Sequence, residues 1–548
     1  MKKLSRVLAV ILALALCLPG MAAAEMTEAE KLAEMVANVV LPTPELPLVD
    51  EPMPITVKYP KTSNHGDFDN CFYLKAVEKL TNIKLDVQGI DANGWDEKLA
   101  LDFVSGDYSE IYLNGVSFND AAVYGQAGML RPLEDLLEQY APNAVEILNL
   151  LPETRRNVTA SDGHIYMMAA YDGTPRDMLM NGTYNQEVNG DWLAKAGLTE
   201  TPSTLDGFYD MLVSFRDGDA NGNGEADEIP YSFVYDGDGY NMPLGAFGFV
   251  NLRHDVIDGQ YVYVPAQENF RHYLEFMHKL YTEGLLDSKI FTQTTEEYNA
   301  KMSTGVIGVM PNCGAAIIGL DEYLKNTSLK PMTSEYNETP VHPGRSQEVD
   351  KFGMVITDKC SEEKAIAAIK LLDYFYSQEG TFLIKCGPEY GAWGDMIDGG
   401  YVRHENEDGT VSYELIYDHE KYQDSYYQFR IKNGLMNMPF FYTAAHAAVI
   451  IGGSADNSHV TEIVNESGML AARRMGYPQM ATFTEDEQDI LAPYVLMDSY
   501  VDQMVARFIT GEVEITDETW NSYLEQLNMM DLDTLVEVRQ AAYDRWNS

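Results

Sequence analysis

ITVKY (55–59), FYLKAVEKL (72–80), IKLDV (83–87), KLALDFV (98–104) and EIYL (110–113) follow one another in sixty residues. The first, third and fifth alternate apolar with polar residues and are rich in β-branched side chains, as half-buried strands are. The second puts Leu74, Val77 and Leu80 on one helical face. The fourth is a helix halted at Ser105-Gly106-Asp107. Strand–helix–strand–helix–strand at this spacing predicts parallel βαβ units, hence an α/β fold.

Working outward, Pro132 opens a helix with Leu133, Leu136, Leu137 and Tyr140 inward, stopped by Pro142. Ser161-Asp-Gly163 reads as a tight turn and His164 to Ala169 as a strand leading out of the first lobe. A second α/β region follows. Ser203, with Asp206 three residues on, reads as the cap of a helix from Leu205 to Phe215. Gln267 to Glu283 shows a long apolar face and is ended by Gly284. Val306 to Met310 and Phe352 to Ile356 are continuous apolar runs, as buried strands are. Ser361 caps a helix to Tyr376, and the remainder from Gly380 reads as mainly helical with tyrosine-rich loops. Upstream, Met26 to Val40 is weakly helical, and prolines 42, 44, 47, 52 and 54 predict a stiff spacer.

A chain of 548 residues is too long for one core. Its formal charge is −47, and loss of residues 1–24, with Lys2, Lys3, Arg6 and no acid, would make it −50. So acidic a surface repels phosphate backbones and anionic bilayers, which excludes nucleic acid as a partner class. Residues 1–24 read as an export signal: a basic start, an apolar run from Val7 to Leu18, and Ala22-Ala23-Ala24 before the cut. Lipidation at Cys17 is disfavoured because Leu16 is not small. The protein is therefore expected outside the cytoplasm. Cys71, Cys313, Cys360 and Cys386 are scattered, with no zinc spacing.

Asp217-Gly-Asp219-Ala-Asn221-Gly-Asn223-Gly-Glu225-Ala-Asp227-Glu228 packs oxygen-bearing side chains and glycines at the spacing a hard cation such as Ca²⁺ requires. Two registers fit, one starting at Asp217 and one at Asp219. The plain alternative is a metal-free acidic turn.

Several stretches carry a resemblance. They are LALDFVSGDYS (99–109), LRPLEDLLEQYAPN (130–143), SDGHIY (161–166), WLAKAGL (192–198) with PSTLD (202–206), KLYTEGLLD (279–287), and FITG (508–511) with Trp520. In this order they resemble the extracellular solute-binding proteins of bacterial ABC importers, family 1, in particular the LplA-like and alginate-oligosaccharide-binding branch. The resemblance implies a two-lobed, type II periplasmic-binding-protein-like fold with a ligand cleft and hinge between the lobes. Lobe I is expected over 55–170 and 300–378, and lobe II over 171–299 and 379–548, after a linker at 25–54. The resemblance also implies a carbohydrate ligand, ABC permease subunits as partners, and a monomeric receptor. It selects the second metal register, in which Asp219, Asn221, Asn223, Glu225 through its carbonyl, Asp227 and Glu228 hold a structural Ca²⁺.

Sugar sites pair aromatic platforms with polar side chains on loops at strand ends. Asn64 and Phe68 follow the first strand, Asn114 the third, and Asn312 the run ending at Met310. Tyr390 and Trp393 lie in a glycine-spaced loop, and Arg176 near the lobe crossover. For each, an ordinary loop or packing residue is the competing reading. Motifs for metalloproteases, serine hydrolases and P-loops are absent from the sequence. A binding protein is the reading adopted, with a secreted carbohydrate hydrolase and a calcium-stabilised surface scaffold as alternatives.

Overall fold

The computed structural model describes residues 38–548 apart from 63, 173–185, 236–241, 312, 345–348, 392, 394–397, 407–408, 423–425, 435–437, 452–458, 460–461, 464–465, 470 and 479–480. The export signal with Cys17, and the candidates Arg176 and Asn312, lie outside the described residues.

The opening run forms β1 (Met53–Lys61), α1 (Phe72–Thr81), β2 (Ile83–Asp91), α2 (Trp95–Ser105) and β3 (Ile111–Leu113), followed by α3 (Phe118–Gln126), α4 (Pro152–Val158) and β4 (Met167–Asp172). β1 lies parallel between β2 and β3, as the βαβ reading requires. The chain then builds a second body. It contains β5 (Gln186–Val188), α5 (Leu205–Asp217), β6 (Ile229–Tyr231), the hairpin β7 (His254–Ile257) and β8 (Gln260–Tyr263), α6 (Glu268–Thr282), β9 (Ile307–Pro311) and β10 (Thr327–Ser328). It returns through β11 (His342–Gly344) to β12 (Val349–Ile356), α7 (Glu362–Tyr376), the hairpin β13 (Gly399–Glu405) and β14 (Val411–Tyr417), and β15 (Phe441–Tyr442). It closes with α8 (Val495–Thr510), α9 (Asp517–Met529) and α10 (Leu532–Trp546).

Two sheets result, in the orders β15-β4-β12-β3-β1-β2 and β10-β5-β9-β6. Each has its own large apolar core, one around Tyr59, Tyr112 and Phe375, the other around Phe208, Phe247 and Met277. This is the two-lobed type II arrangement. β12 arrives from the second lobe and inserts antiparallel between β3 and β4.

Local signals explain most element ends. α5 is capped by Thr204, whose hydroxyl accepts from Gly207 N, one residue later than expected. Ser361 caps α7 by accepting from Lys364 N. Gly284, at φ +70°, follows α6 in the left-handed region that glycine adopts without strain.

Four expectations differ from what is found. β9 was placed with lobe I, but it pairs with β5 and β6 in the second sheet. Its apolar run fits any buried strand, and only pairing chooses the sheet. The stretch after residue 378 divides: Phe441 belongs to the first core, Met497 and Leu527 to the second. It also contains the β13–β14 hairpin inside a region read as mainly helical. The proline-rich stretch is no free spacer, since Leu41 and Leu48 are buried in the first core. A proline-rich chain leaves its carbonyls unpaired, and here they find donors. Leu41 O accepts from Gln378 N at 3.0 Å, and Pro42 O from the Asn143 amide at 2.9 Å.

Candidate functional site

Topology places the cleft. The chain leaves the first sheet at the end of β4 and returns at the start of β12. These lie at one edge, because the two strands are antiparallel. It enters the second sheet at the start of β5 and leaves it from the end of β10, and because β9 and β10 both run antiparallel to β5 their ends lie at that same edge. The crossings tie these edges together, so the loops after β1, β3, β6 and β9 lie where the lobes meet. Ligands of open α/β sheets bind outside such strand ends.

On the first lobe, Asn114 ends β3 in the left-handed region, at φ +62°. Its backbone N–H donates to Gly353 O at 2.7 Å, which locks the turn onto β12. Its side-chain carbonyl oxygen is buried and has no hydrogen-bond partner among the described residues. An unmatched buried acceptor costs about 1–3 kcal/mol, so it is a group prepared for a donor. Asn64 is exposed in the loop after β1. Phe68 is buried instead, edge-on to Tyr59 and His65 and lying over Gly89 of β2. A Cβ at Gly89 would come within 2.8 Å of that ring, so the glycine makes the ring's seat.

Trp393 lies along α1. Phe72 meets it edge-on at 5.3 Å and the Lys79 ammonium sits 4.2 Å from its ring centre. Those contacts make it a packing partner of the helix. Tyr390 of the same loop is exposed, with its N–H donating to Tyr401 O at 2.7 Å.

On the second lobe, the end of β6 brings together residues the sequence reading missed. Tyr235 is half-buried, 5.0 Å from Phe291, and its hydroxyl donates to Asp502 at 3.1 Å. Arg253, nearly fully buried, donates to the same carboxylate at 2.6 Å and lies 3.6 Å from Asp498. Burial raises the Asp498 pKa against the pull of Arg253. Asp498 and Asp502 keep 44% and 41% of their side chains open to solvent, so they retain free lone pairs. An aromatic pair beside half-open carboxylates is what pyranose faces and hydroxyls need. The one sequence signal was the tyrosine-rich run after β6; the carboxylate that Tyr235 bonds, Asp502, lies 267 residues away.

The Asp219–Glu228 loop sits between α5 and β6, in the second lobe. Asp217 is turned away to Arg216, at 2.7 and 3.1 Å, leaving the register that starts at Asp219. Asp219 (φ +45°), Gly222 (+77°) and Gly224 (+79°) curl the chain. Gly224 N donates to Asp219 Oδ1, Asn223 N to Asn221 Oδ1 and Glu225 N to Asn223 Oδ1, at 3.1, 3.0 and 2.7 Å. Asp227 accepts from both asparagine amides, and Glu228 Oε1 is buried without a partner among the described residues. An all-oxygen donor set with an orphaned buried carboxylate oxygen fits a hard cation. No cluster of three or more His, Cys, Asp or Glu groups suited to a metal occurs among the described residues, so asparagine and backbone oxygens would have to complete the shell.

Glu187, on β5, is the other buried carboxylate near the crossing. Burial pushes its pKa up to about 8, against hydrogen bonds from Asn326, Tyr323 and Cys313.

Comparisons with known proteins bear on the family and the fold. Residues 72–382 match the profile of bacterial extracellular solute-binding proteins, and the chain belongs to that family. Among curated proteins it is 35% identical over 245 residues to the fructooligosaccharide ABC transporter substrate-binding protein FusA of Streptococcus pneumoniae, covering 43% of this chain and 45% of FusA. It is 24% identical over 274 residues to lipoprotein LipO of Bacillus subtilis, covering 48% of this chain and 50% of LipO. The chain thus spans about half the length of the curated relatives it matches. Two solved structures share its fold. FusA in complex with kestose superposes with a TM-score of 0.73 at 23% identity, covering 90% of this chain and 99% of that one. A solute-binding protein from Bifidobacterium longum infantis, described as binding HMO, gives 0.75 at 20%, covering 91% and 99%. Other similar structures are described as an EF-hand mutant of FusA and as alginate-binding protein AlgQ2 without calcium ion. No helix among the described residues is long and apolar enough to cross a membrane.

Proposed function

We propose that this chain is the exported, solute-capturing subunit of a bacterial ABC importer, and that its solute is an oligosaccharide held between the lobes. The observation that carries the reading is the pair of strand-end edges joined by the crossing segments. One edge bears the unmatched Asn114 carbonyl, the other the Tyr235–Phe291 pair with Asp498 and Asp502. FusA, with its fructooligosaccharide name, supports the solute class.

In this reading Asn64, Asn114 and Tyr390 contact ligand, and Arg176 and Asn312, outside the described residues, are further candidates. Phe68 and Trp393 shape the first lobe behind them. The Asp219–Glu228 loop holds a structural Ca²⁺ through Asp219, Asn221, Asn223, Asp227, Glu228 and the Glu225 carbonyl. The protein works by capture and closure, without covalent chemistry, as a monomer outside the cytoplasm that hands its solute to permease subunits.

Calorimetric titration with kestose and a panel of other oligosaccharides tests this, with chromatography of the sugar afterwards. Saturable binding of an intact sugar, with a rise in melting temperature, is expected. A shortened sugar would replace this reading with a hydrolase. No binding across the panel, with an unchanged melting curve, would favour a scaffold.

A further inference from the structure

A cation of the protein itself already sits on the Asp219–Glu228 turn. The Lys195 ammonium donates to Asp219 O at 2.6 Å, and Gly222 N donates to the same carbonyl at 3.1 Å. Asp219 is a non-glycine residue at φ +45°, a conformation that costs energy for an L side chain. Two donors on its carbonyl hold that peptide in place. A Cβ at Gly222 would come within 2.7 Å of the ammonium, so the glycine makes room for it.

The lysine is presented from the core. It ends the short helix Gly190–Lys195, which follows β5 and is capped by Asn189, whose side-chain oxygen accepts from Asp191 N and Trp192 N at 3.0 and 3.2 Å. Trp192 is buried, edge-on to Phe215 of α5 at 5.5 Å and packed on Gly308 of β9. The helix that bears Lys195 and the helix that leads into the turn are therefore locked to each other. Arg216, the cation just before the turn, is directed to Asp217 and to Glu283 O.

We propose that Lys195 is the turn's resident cation: it holds the ligating curl when no metal is bound, and its charge sets how tightly Ca²⁺ then binds. The proposal rests on the calcium reading of the loop given above. Asp219, Glu225, Asp227 and Glu228 put four carboxylates into ten residues, and their repulsion favours an open chain. The asparagine amides satisfy Asp227 but carry no charge, whereas the ammonium supplies one. Against a bound divalent ion the same ammonium is repulsive, and because Lys195 is exposed, salt screens that repulsion. Lys195 thus stabilises the empty turn and weakens the filled one, lowering Ca²⁺ affinity without touching a ligand.

The test is calorimetric titration of Ca²⁺ into the chelated full chain, as parent, Lys195→Met and Lys195→Arg, in low and in high salt, with melting temperatures read in EGTA. Lys195→Met should bind Ca²⁺ about threefold more tightly in low salt, with the gap shrinking in high salt. Its melting temperature in EGTA should fall. Lys195→Arg keeps the charge and should match the parent in both. A lysine that only braces the fold would lose stability on substitution and gain no affinity. Unchanged or weaker Ca²⁺ binding in Lys195→Met therefore overturns the proposal, and so does an unchanged melting temperature in EGTA. A parent that takes up no Ca²⁺ would instead overturn the calcium reading, and the proposal with it.

Discussion

Two residues carry most of what can be tested at the scale of single side chains. Glu187 keeps its proton in the folded protein up to about pH 8, because burial penalises its charge, whereas the unfolded side chain loses it near 4.5. Between those values the native state binds more protons, so this group's contribution to stability is complete at low pH and is lost as pH rises through 8. The effect is about 3 kcal/mol between pH 5 and 8. Glu187→Gln keeps the shape and acceptor and removes the ionisation. Its urea midpoint should therefore fall less than the parent's over that range; parallel profiles would show that Glu187 is not the titrating group. Asn114 is the second. At φ +62° glycine replaces it without strain, so Asn114→Gly should leave the melting temperature nearly unchanged. It should weaken oligosaccharide binding at least tenfold, about 1.4 kcal/mol. An unaltered dissociation constant would take Asn114 out of the cleft. From sequence Asn114 was legible as a strand-end polar residue. The residues proposed to face it from the second lobe were not, since Tyr235, Arg253 and Asp502 meet only through tertiary packing.

At the scale of elements, the Asp219–Glu228 loop rests on the most local pattern, because the oxygen-bearing side chains proposed as Ca²⁺ donors are contiguous in sequence. Chelation should lower the melting temperature, and readdition of Ca²⁺ should restore it. If free Ca²⁺ is a hundred times the dissociation constant, the linked stability is about 2.7 kcal/mol. Asp219→Ala should abolish the chelator's effect, and a chelator-insensitive parent would mean that the turn holds itself closed with its own amides. The β13–β14 hairpin shows the opposite case. Most of its residues are neither buried nor fully exposed, so the contrast between inner and outer faces that marks a strand is weak. The signal that was there is the turn from Asn406 to Thr410, with Gly409 at φ +80° and Asn406 N donating to Thr410 O. The opening βαβ run was readable because each strand there alternates and each helix has one apolar face. Where chain neighbours pair with each other, local pattern and fold say the same thing.

At the scale of the molecule, legibility failed where the chain crosses between lobes. No periodicity tells β9 which sheet to join, or α10 that it spans both cores. Leu535, near the start of α10, belongs to the second core, while Tyr543 and Trp546, at its end, belong to the first. α10 therefore couples the two lobes mechanically, and Trp546 is its anchor, nearly buried and bonded to Asn157. Trp546→Ala should cost about 3–5 kcal/mol, the usual loss for a buried indole. Because the end of the helix packs in lobe I and its start in lobe II, the loss should not be uniform. In scanning calorimetry the lobes should melt further apart than in the parent, with the calorimetric enthalpy exceeding the van't Hoff value by a larger factor. A uniform drop of one transition would mean that the lobes are coupled through other contacts. The ion pair of Arg474 with Asp255, at 2.7 Å, would then be the first to test, since it ties the β7–β8 hairpin to the segment beside β11.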